Sequence, residues 1–284
     1  MITTQFDYTA PTTLNEALSL IAYGGKPLAG GMSLIPMMKL RFASPEHLVD
    51  VGRLPELNYI RESNGSIHIG ASTTHYDIES SPLLRGKCPL LPETAEHIGD
   101  IQVRNRGTIG GSTAHADPAA DYPAALQALE AKMVLRSSKG ERTVDVGKFF
   151  LDTFTTALKE GELITEIIVP VEPGSAGTSY KKFLQPASGF AIVGVAARIN
   201  RSGDSIGSVR IGVTGLSGNS YRASRAERAL EGRAGTPAEL QAAAALVVEG
   251  VDANSDLHAS AAYRTHLATI YAERAVASAL SRAS

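Results

Sequence analysis

The chain has 284 residues, and its 27 Lys and Arg against 29 Asp and Glu give a formal net charge of -2 at pH 7. This length allows two ordinary domains, and the near-neutral charge leaves no basic surplus for binding nucleic acid. The single cysteine, Cys88, excludes an internal disulfide and an iron–sulfur cluster held by this chain alone. Because neither a membrane-spanning apolar run nor a secretory signal is present, we expect a cytoplasmic protein without a membrane span.

The first predicted helix begins after Thr13, which has Glu16 at the spacing of a capping box. Apolar residues follow at helical spacing from Leu14 to Ile21, before Gly24-Gly25 ends the pattern. Short strands are then predicted over 47–51, 57–61 and 66–70, with a turn at Asn64-Gly65.

Two glycine-containing segments are candidates for binding phosphate. The first, Lys26 to Leu34, carries Gly30 and Gly31 between an apolar run and a short helix. The second, Arg104 to Asp121, is predicted to be a glycine loop that leads into a helix near Pro118. Glycines let a ligand approach main-chain N–H groups closely, and two such loops fit a diphosphate. Neither matches the dinucleotide fingerprint or the P-loop pattern.

Strands and helices are mixed along the chain without strict alternation, which favours an α+β fold. A helix is predicted over 90–98, and strands over 132–136, 142–146 and 162–170. The Gly-, Pro- and Ser-rich stretch 172–178 marks a domain boundary, so we expect domains at 1–174 and 175–284. The second domain is predicted to be a small antiparallel sheet, with strands 179–183, 190–199 and 208–215, packed on helices 223–230, 237–249 and 261–280.

Motifs for hydrolytic or metal chemistry are missing from the sequence. No H-E-x-x-H or G-x-S-x-G pattern occurs, and the S-x-x-K match at 179–182 lies in a strand-like stretch. A protein with so few acids, bases and nucleophiles in motifs is suited to a redox cofactor that carries the chemistry itself. Tyr180 and Phe190, near the domain junction, are candidates to cover a flavin ring.

The two glycine segments carry a resemblance to a known family. Ala29-Gly-Gly-Met-Ser-Leu34 resembles an A-G-G-x-S-L loop, and Arg104-Asn-Arg-Gly-Thr-Ile-Gly-Gly-Ser112 resembles an R-N-x-G-T-I-G-G-[NS] loop. Both belong to the FAD-binding medium subunit of the molybdenum hydroxylases, the family of xanthine dehydrogenase and carbon monoxide dehydrogenase. Segments 117–121 and 256–264 are also similar to that family, so the resemblance covers nearly the whole chain.

The resemblance implies a two-lobed FAD domain of the vanillyl-alcohol-oxidase (PCMH) type, followed by a CO dehydrogenase flavoprotein C-terminal-like domain. It also implies a large molybdenum-cofactor subunit, a small subunit with two [2Fe–2S] clusters and a dimer of heterotrimers. This chain's FAD would pass electrons from the clusters to an external acceptor, while the large subunit hydroxylates an N-heterocycle, an aldehyde or CO.

Matched residue by residue, the resemblance implies a cofactor site. Main-chain N–H groups of both segments would hold the FAD diphosphate, and Asp121 would contact FAD. Ile164 and Lys181 would lie beside the adenine and the cofactor's outer edge. Phe190 would lie near the isoalloxazine. The expected residues of the two segments are Leu28, Ala29, Gly30, Gly31, Met32, Ser33, Leu34, Thr108, Ile109, Gly110, Gly111 and Ser112.

The sequence departs from the family pattern in two places. Residues 185–189 lack the usual basic residues and the acidic residue before the aromatic position, and Met32 replaces a residue that is His or Gln in some members. We therefore expect no covalent flavin link at Met32. Two other classes remain open from the sequence: a self-sufficient FAD-dependent oxidase of the same fold, and a metabolite-binding or scaffolding protein without a redox role.

Overall fold

A computed structural model describes residues 2–284. Its first unit is a three-stranded parallel sheet of order β1-β3-β2, whose strands are connected through two helices. Thr13 caps the first helix as predicted, but the Glu16 carboxylate accepts from the N–H of Thr12 instead of closing a capping box. The elements are β1 (Asp7–Thr9), α1 (Leu14–Ala22), β2 (Lys26–Leu28), α2 (Leu34–Lys39) and β3 (His47–Asp50).

The second unit is a five-stranded antiparallel sheet of order β4-β5-β10-β6-β7. Asn64 and Gly65 both have positive φ and form the predicted two-residue turn between β4 and β5. The strands are β4 (Ile60–Ser63), β5 (Ser66–Gly70), β6 (Lys132–Ser137), β7 (Gly140–Asp145) and β10 (Leu163–Pro170), with a separate hairpin of β8 (Phe150–Asp152) and β9 (Thr155–Thr156).

Six short helices lie between β5 and β6, where the sequence predicted two. The others were missed because each is only one or two turns long, too short for a hydrophobic period to be recognised. They are α3 (His75–Ser80), α4 (Pro82–Lys87), α5 (Leu90–Glu96), α6 (Ile101–Arg104), α7 (Ile109–His115) and α8 (Tyr122–Ala128).

The third unit is a four-stranded antiparallel sheet of order β11-β12-β13-β14. Helix α8 packs on one face of this sheet and the last helix on the other, so β12 is buried on both faces. The elements are β11 (Gly177–Leu184), β12 (Ala191–Ser202), β13 (Ser205–Thr214), β14 (Tyr221–Arg222), α9 (Ser224–Leu230), α10 (Pro237–Ala245) and α11 (Ala261–Arg282).

Each unit has its own hydrophobic core, but the second and third are tightly joined. Tyr180 of β11 and Ala196 of β12 belong to the core of the second unit. The fold is thus α+β, as predicted, with the third sheet packed directly on helix α8. Within residues 2–284 no helix has the length and apolar character needed to cross a membrane.

Candidate cofactor-binding site

The first glycine segment, residues 28–34, connects β2 to α2. Gly31 has φ +76°, and the side chain of Ser33 makes no capping bond to the helix that follows. Within the described chain, the main-chain N–H groups of Ala29 through Leu34 donate to no protein acceptor. These groups are half-buried or exposed, so the segment presents a run of free donors of the kind that binds phosphate.

Gly30 of the first segment touches residues 106 and 107 of the second segment through main-chain atoms. A Cβ atom at Gly30 would overlap the carbonyl oxygen of Arg106 and would lie 2.8 Å from the Cα of Gly107. Only glycine allows this approach. The structure therefore brings together two glycine segments that lie far apart in the sequence.

The local structure of the second segment differs from the prediction. Gly110 and Gly111 do not lie in an irregular loop but in the first turn of α7, whose N-cap is Thr108. The N–H of Ile109 donates to the Thr73 carbonyl at 3.1 Å, and that of Gly110 to the Ala71 carbonyl at 2.9 Å. Because protein atoms already accept from these groups, their N–H groups are not free donors, unlike those of the first segment.

Close packing explains the glycines of the second segment. A Cβ atom at Gly110 would lie 2.5 Å from the Cβ of Ala71, and one at Gly107 would lie 2.5 Å from Nε2 of His75. Neither residue has a positive φ. These glycines are required for close approach to neighbouring elements, whereas the sequence argument attributed them to the close approach of a ligand.

His75 is hydrogen-bonded to the second segment and packs against it, and sequence reasoning missed this residue. Its main-chain N–H donates to the Gly107 carbonyl at 2.9 Å, and its ring lies 5.3 Å from that of Tyr122. Burial, with a smaller effect of the Arg104 charge, lowers the pKa of His75 to about 4, so the imidazole is neutral at pH 7. A histidine beside a capping threonine gives no recognisable sequence signal.

Ile164 is connected to the second segment through the main chain. It precedes a bulge in β10, where the carbonyl of Thr165 accepts from the Ala71 N–H at 3.0 Å. The Ala71 carbonyl in turn accepts from Gly110. The Ile164 side chain itself is buried in the core of the second unit.

Asp121 forms a buried ion pair with the third unit. The Tyr180 hydroxyl donates to its Oδ1 at 2.6 Å, and Nζ of Lys182 lies 2.9 Å from the same oxygen. Burial raises the pKa of Asp121, while the positive charge of Lys182 and the hydroxyl of Tyr180 oppose that rise. Sequence reasoning missed this role of Lys182.

One residue predicted near the cofactor occupies a different position from the one expected. Tyr180 is fully buried, so the expectation that it covers a flavin ring is wrong. Lys181 lies between Tyr180 and Lys182 in β11, and alternation along the strand directs its side chain away from Asp121. Lys182, not Lys181, pairs with the Asp121 carboxylate.

Phe190 lies in the turn between β11 and β12, and 44% of its surface is exposed. The Gln185 side chain organises this turn by accepting from the Ser188 N–H at 2.6 Å, and Gly189 has φ +74°. The next residue, Ala191, donates its N–H to the Ala119 carbonyl at 3.0 Å. Phe190 is therefore a partly exposed aromatic residue held close to the segment that leads to Asp121.

Together these residues fit a cofactor with a diphosphate and a flat ring. The free N–H groups of 29–34 can bind the diphosphate, since an anion is the natural partner of unpaired main-chain donors. A half-exposed aromatic side chain such as Phe190 can cover an apolar ring. The donor set therefore suits FAD.

Family models match both halves of the chain. The FAD-binding domain in molybdopterin dehydrogenase matches residues 4–172, and the CO dehydrogenase flavoprotein C-terminal domain matches residues 178–279. The carbon monoxide dehydrogenase medium chain of Hydrogenophaga pseudoflava is 42% identical over 99% of both chains. The glyceraldehyde dehydrogenase medium chain of Sulfolobus acidocaldarius is 38% identical, over 95% of this chain and 97% of the relative.

Solved structures give the same result. A chain of carbon monoxide dehydrogenase from Hydrogenophaga pseudoflava superimposes with a TM-score of 0.97 at 43% identity, and 100% of both chains is covered. A chain of quinoline 2-oxidoreductase from Pseudomonas putida 86 gives 0.94 at 31% identity over 99% of both. The chain therefore belongs to the FAD-binding medium subunits of the molybdenum hydroxylases, the family of carbon monoxide dehydrogenase.

Proposed function

We propose that this chain binds FAD between its two glycine segments and transfers electrons within a molybdenum hydroxylase complex. The observation that carries the proposal is the run of N–H groups from Ala29 to Leu34 without protein acceptors, packed through Gly30 against the second segment. These donors would hold the diphosphate. The bound cofactor supplies the redox chemistry, and the chain binds, orients and shields it.

The remaining site assignments are part of the same proposal. Residues 28–34 and 108–112 surround the diphosphate, the second group mainly by shape, because its N–H groups from Ile109 to Ser112 have protein partners. Phe190 covers the flavin ring, and Asp121, paired with Tyr180 and Lys182, lies beside the cofactor. Ile164 and Lys181 lie beside the adenine and the outer edge of the cofactor.

The partners follow from the family. Relatives are named medium chains or subunits, such as the nicotine 6-hydroxylase medium subunit of Paenarthrobacter nicotinovorans, which is 32% identical. We propose a large subunit with the molybdenum cofactor, a small subunit with two [2Fe–2S] clusters, and a cytoplasmic dimer of heterotrimers. The domains are 1–174 for FAD and 175–284 for the C-terminal unit.

The substrate belongs to the large subunit in this proposal. By their names, the relatives act on carbon monoxide, glyceraldehyde, nicotine and caffeine, although each is at least 32% identical to this chain over 95% or more of its length. A medium chain that serves such different molecules does not select among them. This chain's own task is to pass electrons from the clusters to an acceptor.

Purification through a tag on this chain from its native host tests the complex. We expect a flavin spectrum overlaid with iron–sulfur absorbance, and two further protein bands, one much larger. A single yellow chain that reduces oxygen with a substrate of its own would instead establish the self-sufficient oxidase. A colourless chain that takes up no added FAD would overturn both.

The Phe190→Ala variant tests the assignment of the ring-covering residue. Removing the side chain should change the visible circular dichroism and fluorescence of bound FAD, because the ring gains contact with water. Leu151→Ala is the matched control, since Leu151 is a similarly exposed apolar residue, on β8. Identical flavin spectra in both variants would contradict the assignment.

A further inference from the structure

Arg264, in the first turn of α11, is a buried arginine that bonds main-chain carbonyls of the third sheet. Only 5% of its surface is exposed. Its Nη1 donates to the carbonyl of Ile192 at 2.6 Å and to that of Gly215 at 2.8 Å, and its Nη2 donates to Asp256 at 2.7 Å. Burying a guanidinium costs free energy, and these three bonds offset part of that cost because they satisfy its Nη donors. The two bonds to carbonyls also fix the ends of two neighbouring strands.

The strand ends that Arg264 fixes bind the segment 118–120 of the second unit. The N–H of Gly215 donates to the Pro118 carbonyl at 2.8 Å, and the N–H of Ala191 donates to the Ala119 carbonyl at 3.0 Å. The hydroxyl of Thr214 lies 2.8 Å from the carbonyls of both Pro118 and Ala120. All three consecutive carbonyls of 118–120 thus accept from the third unit.

The contact between segment 118–120 and the strand ends is adjacent in the chain to two residues proposed to lie near FAD. Phe190 directly precedes Ala191, and Asp121 directly follows Ala120. The two residues come from different units of the fold, so their spacing depends on the bonds across 118–120 together with those from Tyr180 and Lys182 to Asp121. Arg264 holds the two strand ends from which those bonds are made.

We propose that Arg264 is a positioning residue for the flavin, which sets the spacing between Phe190 and Asp121 through the strand ends at Ile192 and Gly215. The inference rests on the proposed placement of Phe190 and Asp121 beside FAD. Arg264 itself does not touch the cofactor in this proposal. Its effect reaches the flavin through the hydrogen bonds that join the strand ends to segment 118–120.

The test compares Arg264→Gln with Leu267→Ala in the purified complex. Leu267 is a control of equal burial on the same helix, at 5% exposure, and it packs in the core of the third unit without bonding 118–120. Both variants should lower the thermal stability. Only Arg264→Gln should also weaken FAD binding roughly tenfold and change the visible circular dichroism and reduction potential of the flavin.

Thr214→Val provides a second variant that keeps Arg264 and the size of the side chain. It removes the hydroxyl that the carbonyls of Pro118 and Ala120 share, and should shift the flavin signals in the same direction as Arg264→Gln. If both variants alter stability but leave the flavin dichroism, potential and affinity equal to those of Leu267→Ala, Arg264 is a structural residue only.

Phe190→Ala and Asp121→Asn separate this inference from the proposed site. If neither variant changes the flavin signals, the placement of the cofactor beside them is wrong. If both change them while Arg264→Gln and Thr214→Val do not, the site is right and the positioning role is overturned.

Discussion

Gly30 lies against the main-chain carbonyl of Arg106 so closely that a single added methyl group would overlap the oxygen. This contact holds the first glycine segment on the second and fixes the position of the free N–H groups of 29–34. Both residues lie close to ordered elements, Gly30 just after β2 and Arg106 between α6 and α7. Neither side can yield without displacing the donors.

We therefore predict that Gly30→Ala weakens FAD binding by at least about tenfold, equivalent to about 1.4 kcal/mol. The measurement is titration of the FAD-depleted protein with FAD, followed by flavin fluorescence. Gly86→Ala is the control, because Gly86 lies in α4 and an added Cβ there meets no atom within 4 Å. Equal FAD affinity in the two variants would contradict the proposed diphosphate site.

The sequence predicted the strands well where a local pattern decides them. The turn at Asn64-Gly65 and the hairpin of β6 and β7 were placed within one or two residues, because alternation and turn residues act over short distances. The long apolar stretch of β12 was also recognised. Its burial on both faces depends on α8 and α11, which cover the two faces of the sheet only in the folded chain.

The second glycine segment could not be predicted in the same way. Glycine is a poor helix former, so Gly110-Gly111 suggested a loop, yet the Thr108 cap and packing against Ala71 make this stretch helical. The pairing of Lys182 with Asp121 was equally hidden. It depends on the register of β11 with β12, and a shift of one residue would exchange the two side chains.

The buried pair of Asp121 and Lys182 gives a second prediction. Asp121→Asn leaves the Lys182 ammonium, whose side chain is 1% exposed, without a counter-charge, so we expect a loss of roughly 3 kcal/mol in the free energy of unfolding. Urea unfolding at saturating FAD measures it. The double variant with Lys182→Met should recover part of the loss, because it removes the unpaired charge.

Additive losses in that double variant would show that the two charges do not depend on each other. Lys181→Met serves as the control. Lys181 is the adjacent lysine, on the other face of β11, and its replacement should leave the free energy of unfolding nearly unchanged.

Gly212 gives a third prediction, at the contact between the second and third units. A Cβ atom there would overlap the carbonyl oxygen of Ala124 in α8. Gly212→Ala should therefore push α8 away from β13 and cost about 2 kcal/mol of unfolding free energy. Gly147→Ala, where no atom lies within 4 Å of the added Cβ, should be nearly neutral in the same urea titration. A neutral Gly212→Ala would mean that the two units are not packed in this way.

The fourth prediction concerns pH and follows from His75. Burial first, and the Arg104 charge second, lower its pKa from 6.5 to about 4, so the unfolded chain binds a proton at His75 more readily than the folded chain. The stability that this histidine contributes is therefore complete above pH 6.5 and is lost as the pH falls toward 4. Between pH 7.5 and pH 5 the expected loss is about 2 kcal/mol.

Urea unfolding at the two pH values measures this loss, and His75→Gln should reduce it because the replacement does not titrate. His258→Gln is the control, since His258 is exposed and its replacement should leave the pH dependence unchanged.

Because His75 donates its N–H to Gly107 and its ring packs against the same residue, protonation should also loosen the second glycine segment. Release of FAD on acidification should then be faster in the wild type than in His75→Gln. An equal rate in both would show that protonation of His75 does not affect FAD binding.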